Sequence, residues 1–135
     1  MDIIAAINEL GDAVDTIPGL RVHRYAPDNV HAPAAVVAYP TVYEFDATYG
    51  RGMDTLTVPV VVLVDRGTDR TSRDELLAYV AGSGPRSIKA AVEAHTPESF
   101  HTARVTGAEF DVISLGGVEY VAATFPVEIA GQGAS

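Results

Sequence analysis

The sequence predicts an α/β fold of the α+β type: a twisted, mostly antiparallel sheet of about four or five strands with three helices packed on one face. Three observations predict this class. Apolar residues recur at helical spacing in three segments, and they alternate at period two in β-branched segments. The segments follow the order α-β-ββ-αα-ββ, which lacks the βαβαβ repetition of a doubly wound parallel sheet. We expect residues 1–130 to form a single domain and residues 131–135 a flexible tail.

The first predicted element is a helix over residues 2–16, followed by a short strand over residues 20–25. Four apolar residues in the helix are spaced by four, three and four positions, which places them on one helical face. These residues are Ile3, Ile7, Leu10 and Val14. Pro18 and Gly19 then end the helix.

A first hairpin is predicted to join residues 34–45 to residues 54–65. The second strand alternates strictly at period two and is rich in valine, yet it carries Pro59 near its centre. Proline cannot donate a hydrogen bond to a β ladder, so it is expected at a sheet edge or a bulge. We therefore expect Pro59 to mark a strand near a free edge, where another subunit contacts this chain.

A second hairpin is predicted around Gly116 and Gly117, a two-residue turn that allows positive φ. The turn sets the register and places the paired apolar residues on one side of the sheet, with Glu109 and Asp111 on the other. The predicted pairs are Leu115 with Val118, Val112 with Val121, Phe110 with Ala123, and Ala108 with Phe125. Pro126 then faces Gly107, which predicts a bulge or a bend.

Two helices are predicted between the hairpins. In residues 71–82, Ser72 and Glu75 have the spacing of a capping box at a helix start. Pro85 is predicted to begin the second helix, which runs to residue 94, because its missing N–H costs little in a first helical turn.

The stretch YPTVYEFDATYGRG, residues 39–52, contains three of the chain's six tyrosines and one of its four phenylalanines. Two interpretations remain open, because aromatic residues on a strand pack in a core, and aromatics beside an arginine at a hairpin tip are typical of a protein–protein contact. The candidate interface residues are Tyr43, Phe45, Tyr49, Arg51 and Pro59.

No residue is predicted to be catalytic, cofactor-binding or metal-ligating, so we expect neither an enzyme nor a bound cofactor. The chain has no cysteine, its four histidines lack the spacing of a metal pair, and its serines lack a G-x-S-x-G context. A net charge of −9 argues against a protein that holds nucleic acid by its phosphates. No apolar run is long enough to span a membrane.

The stretch VVVLVDRGTDRTSRDELLAYVAGSGPRSIKAAVE, followed by RVTGAEFD at the entry to the last hairpin, resembles the tail terminator (tail-completion) proteins of long-tailed bacteriophages, especially those of actinobacterial hosts. The resemblance covers roughly residues 3–130. The matching features are the helix pair after a valine-rich strand and the order of the elements. It is a similarity along the whole chain and contains no catalytic motif.

The resemblance implies a structural virion protein at the head–tail junction, made in the host cytoplasm. Such proteins form a hexameric ring that caps the tail tube, stops tube polymerisation and offers a surface to the head's connector or stopper protein. DNA passes through the lumen without specific binding, and no membrane is involved. Two alternatives stay open: another head–tail connector such as a stopper or adaptor, or a small-molecule-binding module or enzyme that uses the acidic face of the second hairpin.

Overall fold

A computed structural model describes residues 2–24, 33–45, 53–65, 69–115 and 117–132 of this chain. These residues form three helices and seven strands, and they confirm the α+β class. The helices are α1 (Ile3–Val14), α2 (Asp69–Val80) and α3 (Ile88–Ala94). The strands are β1 (Arg21–His23), β2 (Ala34–Val37), β3 (Val42–Glu44), β4 (Met53–Asp65), β5 (Thr102–Val105), β6 (Glu109–Leu115) and β7 (Val118–Gln132). The strand number exceeds the expected four or five because the predicted strand 34–45 divides into β2 and β3, and the first arm of the second hairpin, residues 101–115, divides into β5 and β6.

The long strands β4 and β7 form the antiparallel centre of the sheet. The outer side of β4 is covered by β2 at residues 60–63 and by β3 at residues 55–57. The outer side of β7 is covered by β6 at residues 118–124 and by β5 at residues 127–130. Only β1, which pairs with β2, is parallel to its neighbour in the described part of the sheet. The sheet is therefore mostly antiparallel, as predicted.

Pro59 and Pro126 face each other in the middle of this central pair. Ala38 N–H donates to the Pro59 carbonyl (2.9 Å) and Thr106 N–H donates to the Pro126 carbonyl (3.1 Å), so both carbonyls point away from the β4–β7 ladder. A residue's N–H and C=O point to the same side of an antiparallel strand. The missing N–H groups therefore face the places where β2 gives way to β3 and β6 gives way to β5.

The expectation that Pro59 marks a free sheet edge is wrong. Its strand, β4, has neighbours on both sides. Proline is tolerated in this central position because the donor it lacks points at a break in the outer strand, where a ladder partner is not required. The bend expected where Pro126 meets Gly107 is the matching break on the other side, since residues 106–108 separate β5 from β6.

All three helices pack on one face of the sheet, as predicted, and bury a single main core. Alternate residues of β4 and β7 supply the sheet side of this core. Its largest fully buried members include Leu10 from α1, Leu56 from β4, Ile88 from α3, and Phe125 and Ile129 from β7. Each such side chain contributes roughly 1.5–3 kcal/mol through burial, so this face of the sheet holds the helices in place.

The register of the second hairpin is confirmed for most pairs. Leu115 pairs with Val118, Val112 with Val121 and Phe110 with Ala123. Gly117 has φ +79°, the left-handed region that this tight turn needs.

One feature of the predicted hairpin is wrong, since its paired apolar residues do not all share a side. Successive residues of a strand face opposite sides of a sheet. Val118 lies three positions before Val121 and therefore falls on the opposite face from it. The predicted pairing of Ala108 with Phe125 lies outside the ladder, because β6 begins at Glu109.

Both helices after β4 begin at residues other than those predicted. Ser72 is inside α2, where its hydroxyl donates to the Asp65 carbonyl (2.8 Å), so it is not the cap of a capping box. Helix α3 is capped by Ser87, whose hydroxyl accepts from Ala90 N–H (3.0 Å), and Pro85 lies in the preceding turn. Residues 131 and 132, predicted to begin a loose tail, belong to β7; residues 133–135 lie outside the described residues.

Glu9 fastens α1 to the segment between α3 and β5. Its buried carboxylate accepts from the backbone N–H groups of Glu98 and of Ser99 (2.9 Å), and it lies 3.2 Å from His95 Nε2. Burial alone raises the pKa of this carboxyl. The backbone hydrogen bonds, with the His95 contact, outweigh burial and hold the pKa of Glu9 below its ordinary value.

Replacing Glu9 by glutamine is expected to lower the free energy of unfolding by about 1.5–3 kcal/mol, because a charged acceptor of backbone N–H groups is lost. A carboxyl whose pKa is depressed by folding stabilises the native state above its unfolded pKa, and this contribution is lost as pH falls through the folded pKa. The stability gap between wild type and Glu9→Gln should therefore shrink on acidification below the ordinary value of 4.5. Urea unfolding across this range measures the gap.

Glu98→Gln is the matched control, because this side chain is exposed and its carboxylate makes no such contact among the described interactions. It is expected to change stability by less than about 0.5 kcal/mol. A Glu9→Gln gap that stays constant between about pH 7 and about pH 3 would contradict this account of the carboxylate.

Candidate interaction surfaces

Two groups of exposed apolar side chains lie at opposite edges of the sheet, and Ile3 and Ile4 of α1 are exposed as well. The first group lies between α2 and the β6–β7 hairpin, on the β7 side, and we call it the α2–β6 groove. The second group lies on and beside β3, on the β4 side, and we call it the aromatic edge, formed by Tyr39, Tyr43 and Phe45. Because β6 flanks the beginning of β7 and β3 flanks the beginning of β4, the two surfaces also lie at opposite ends of the central pair.

The α2–β6 groove is an open apolar depression of about 470 Å³. Its lining residues are Ser72, Arg73, Leu76, Leu77, Phe110, Val112 and Val121.

The groove exists because α2 does not fully cover the apolar side chains of the β6–β7 hairpin. Leu76 is buried against the core, whereas Leu77, one position or about 100° further around the helix, is 46% exposed. Phe110 and Val112 lie on the helix side of the sheet, opposite Ala123 and Val121, and yet are 57% and 49% exposed. Apolar side chains of α2 and β6 thus face a space that the described residues leave open.

The outer edge of β6 is closed to strand addition at its centre. The N–H of Val112 is bound by the side chain of Asp111, which accepts at 2.8 Å, so this donor points away from β7. Inserting a charged side chain at an edge strand is a common means of preventing edge-to-edge pairing. A partner at this edge of the sheet would therefore contact side chains rather than continue the ladder at Val112.

The aromatic edge combines one structural residue with two exposed ones. Tyr43 pairs with Leu56 and lies on the helix side, where its hydroxyl donates to Asp54 Oδ2 (2.7 Å). The rings of Tyr43 and Phe45 are tilted by 54° with centroids 4.8 Å apart, an ordinary arrangement for an aromatic pair. Phe45 is 78% exposed and Tyr39 is 90% exposed. Tyr43 thus supports the strand, while Phe45 and Tyr39 offer apolar surface to a partner.

The contact between Tyr43 and Asp54 raises the pKa of the Tyr43 hydroxyl. The hydrogen bond to Asp54, with burial and the Asp54 charge adding to it, raises the pKa of Tyr43 to about 12. Asp54 itself is buried at the start of β4.

The structure brings only some of the predicted interface residues together. Tyr43 and Phe45 are in contact. Pro59 is half-buried in the centre of the sheet, on the face away from the helices, and is not part of the aromatic edge. Tyr49 and Arg51 lie outside the described residues. A contact of any of these five residues with a second subunit stays a prediction.

The α2–β6 groove was not predicted, because the register of the second hairpin only grouped Phe110 and Val112 with the other paired apolar residues on one side of the sheet. One signal was present. Leu77 lies outside the helical stripe that joins Leu76 to Val80, so it is an apolar residue on the wet side of its helix. An exposed leucine beside a hairpin longer than its covering helix indicates uncovered apolar surface.

The polar cluster of Glu9 and His95 has a structural role, since it holds α1 against the segment after α3. No group of three or more His, Cys, Asp and Glu side chains in the described ranges is arranged to hold a metal ion. A polar hollow of about 510 Å³ lies beside Glu9 and His95, whose contacts fasten α1. None of the helices described here is long and apolar enough to cross a membrane. A scan against models of known protein families gives no match, and a search of curated proteins gives none either.

Replacing Tyr43 by phenylalanine is expected to lower the free energy of unfolding by about 1–3 kcal/mol, because the buried Asp54 carboxylate loses a donor. Tyr39→Phe is the matched control, since it removes the hydroxyl of an exposed ring, and it should cost less than about 0.5 kcal/mol. Urea unfolding of the two variants measures the difference. Equal stabilities would contradict a structural role for the Tyr43 hydroxyl.

The stability that the Tyr43–Asp54 hydrogen bond contributes should fall as pH rises. Folding raises the pKa of Tyr43, so its contribution is complete below the unfolded value of 10.0 and is lost as pH rises towards about 12. The stability gap between wild type and Tyr43→Phe should therefore narrow in alkali. A stability difference between wild type and Tyr43→Phe that grows with rising pH would contradict this account of the Tyr43 hydroxyl.

Proposed function

We propose that this chain is a structural subunit of the neck of a long-tailed bacteriophage. Several copies form a ring that caps the tail tube, ends its polymerisation and receives the connector of the head, while DNA passes through the lumen. The sequence resemblance suggests this role, and one structural observation supports it. The chain carries two different apolar surfaces at opposite edges and opposite ends of a single sheet, the α2–β6 groove and the aromatic edge.

A ring places a specific demand on its subunit. Each copy contacts two neighbours through two different patches, since a heterologous contact closes a ring when its rotation returns to the start. A small protein that works alone has little reason to expose clustered leucine, valine and phenylalanine side chains on two edges. The two surfaces of this chain satisfy the demand for two unlike patches.

The charge of the chain supports the passage of DNA. A net charge of −9 for each copy makes an assembly strongly acidic, and acidic walls repel phosphate rather than bind it. Glu109 and Asp111 are exposed on the sheet face away from the helices. The same charge keeps the subunit soluble before it assembles.

Electron microscopy of tail tubes tests this role. The purified chain, labelled with gold, is mixed with growing tubes assembled from the tail tube protein of the same virus. We expect label at one end of each tube and an arrest of growth there, because a cap occupies the surface to which the next tube subunit adds.

Two matched variants serve as controls. Val112→Asp places a charge in the α2–β6 groove and should abolish capping, whereas Val118→Asp, at a position of almost equal exposure (50% against 49%) on the other face of the hairpin, should retain it. Label along the tube walls, or none on tubes, would contradict the role. Binding to the isolated connector but not to tube ends would favour a stopper or adaptor instead.

A further inference from the structure

We infer that the α2–β6 groove of one copy receives Tyr39 and Phe45 of a second copy, in a head-to-tail contact between identical chains. This pairing deepens the proposed function by naming the neighbour of each surface, and it rests on that function only for the closure of the contacts into a ring.

The two surfaces complement each other in shape. The groove is concave, with a floor of apolar side chains from α2, β6 and β7. Tyr39 and Phe45 are the two most exposed aromatic residues in the described part of the chain. Aromatic anchors that enter desolvated pockets dominate the binding energy of many interfaces.

The area available suits a stable contact. Each aromatic side chain buries ~150–250 Å², so Tyr39 and Phe45 together would supply a substantial part of the ~800 Å² that each partner of a standard interface contributes. Leu77 of α2, which is 46% exposed and lines the groove, adds to this area.

Charge at the margins agrees with the same pairing. Arg73 lines the groove and its side chain is well exposed; among the described residues its ion-pair partner is its sequence neighbour Asp74, at 3.3 Å. Glu44, which is exposed, precedes Phe45 directly on the aromatic edge. Opposite charges at the rim of an interface favour the correct partner and orientation.

The positions of the surfaces favour a neighbouring copy over contact within one chain. They lie on opposite sides of the β4–β7 pair, so the rigid sheet keeps a copy's own aromatic edge away from its own groove. Asp111 binds the Val112 N–H at the edge of β6, which disfavours a competing contact by strand addition. These constraints favour a contact in which the aromatic side chains of one copy enter the groove of another.

Disulfide trapping tests the pairing. The natural chain contains no cysteine, so every disulfide that forms must join introduced cysteines. Phe45→Cys and Val112→Cys are made as separate variants, one carrying a size tag, and are mixed with diamide as the oxidant of the two thiols. We expect a mixed disulfide dimer at several times the yield of Phe45→Cys mixed with Val118→Cys. Neither variant alone should form a comparable dimer, since its neighbour presents no cysteine at the contact.

The double variant Phe45→Cys/Val112→Cys is expected to give a ladder of linked chains that continues beyond the dimer. A mixed yield no higher than that of the Val118→Cys control would overturn the pairing, and so would a dominant disulfide between two Phe45→Cys chains. A ladder that stops at the dimer would overturn the head-to-tail arrangement. No tube protein is present, so these results are separate from capping, and tube-end binding can fail or succeed independently of them.

Discussion

Thirteen residues of β4 pair with β7 in one uninterrupted antiparallel ladder, and β2, β3, β5 and β6 each pair with one of these two strands. The ladder passes through a proline on each strand because the two prolines face each other and direct their missing donors outward. A sheet with one long central pair has two outer sides to cover. Each outer side is covered by two short strands, with a break beside the proline.

The breaks in the outer strands explain the exposed surfaces. Because the outer strand of β4 divides, β3 becomes a short separate edge, and two aromatic residues near its ends are exposed: Tyr39, three positions before it, and Phe45, directly after it. Because the outer strand of β7 divides, β6 belongs to a hairpin that reaches beyond the helices. The apolar groove is the space between that hairpin and α2. The same feature of the sequence, a proline in each central strand, is associated with both surfaces.

The sequence predicted those parts of the fold that depend on local pattern. Helical periodicity located the three helices, and the Gly116–Gly117 turn set the register of the second hairpin, since a two-residue turn leaves little choice. It did not predict the division of the outer strands. An interruption at Gly107 is compatible with a bend inside one strand or with two strands, and only the pairing partners along β7 decide between them.

The candidate surfaces were predicted only in part for a similar reason. The aromatic edge is a local cluster in the sequence, so Tyr43 and Phe45 could be named in advance. The groove joins α2 to β6 across more than thirty positions, and Phe110 looks like a core residue until the length of the helix above it is known. Exposure at that site depends on tertiary packing, which period-two alternation does not report.

The central claim is that two unlike surfaces join copies of this chain head to tail, and sedimentation of complementary variants tests it most directly. Phe45→Asp places a charge on the aromatic edge and keeps the groove intact. Val112→Asp places a charge in the groove and keeps the aromatic edge intact. Each variant alone should sediment as a monomer, and an equal mixture should form dimers and nothing larger, because only one intact groove meets one intact edge. A mixture that stays monomeric, or one that forms the full wild-type assembly, would contradict the claim.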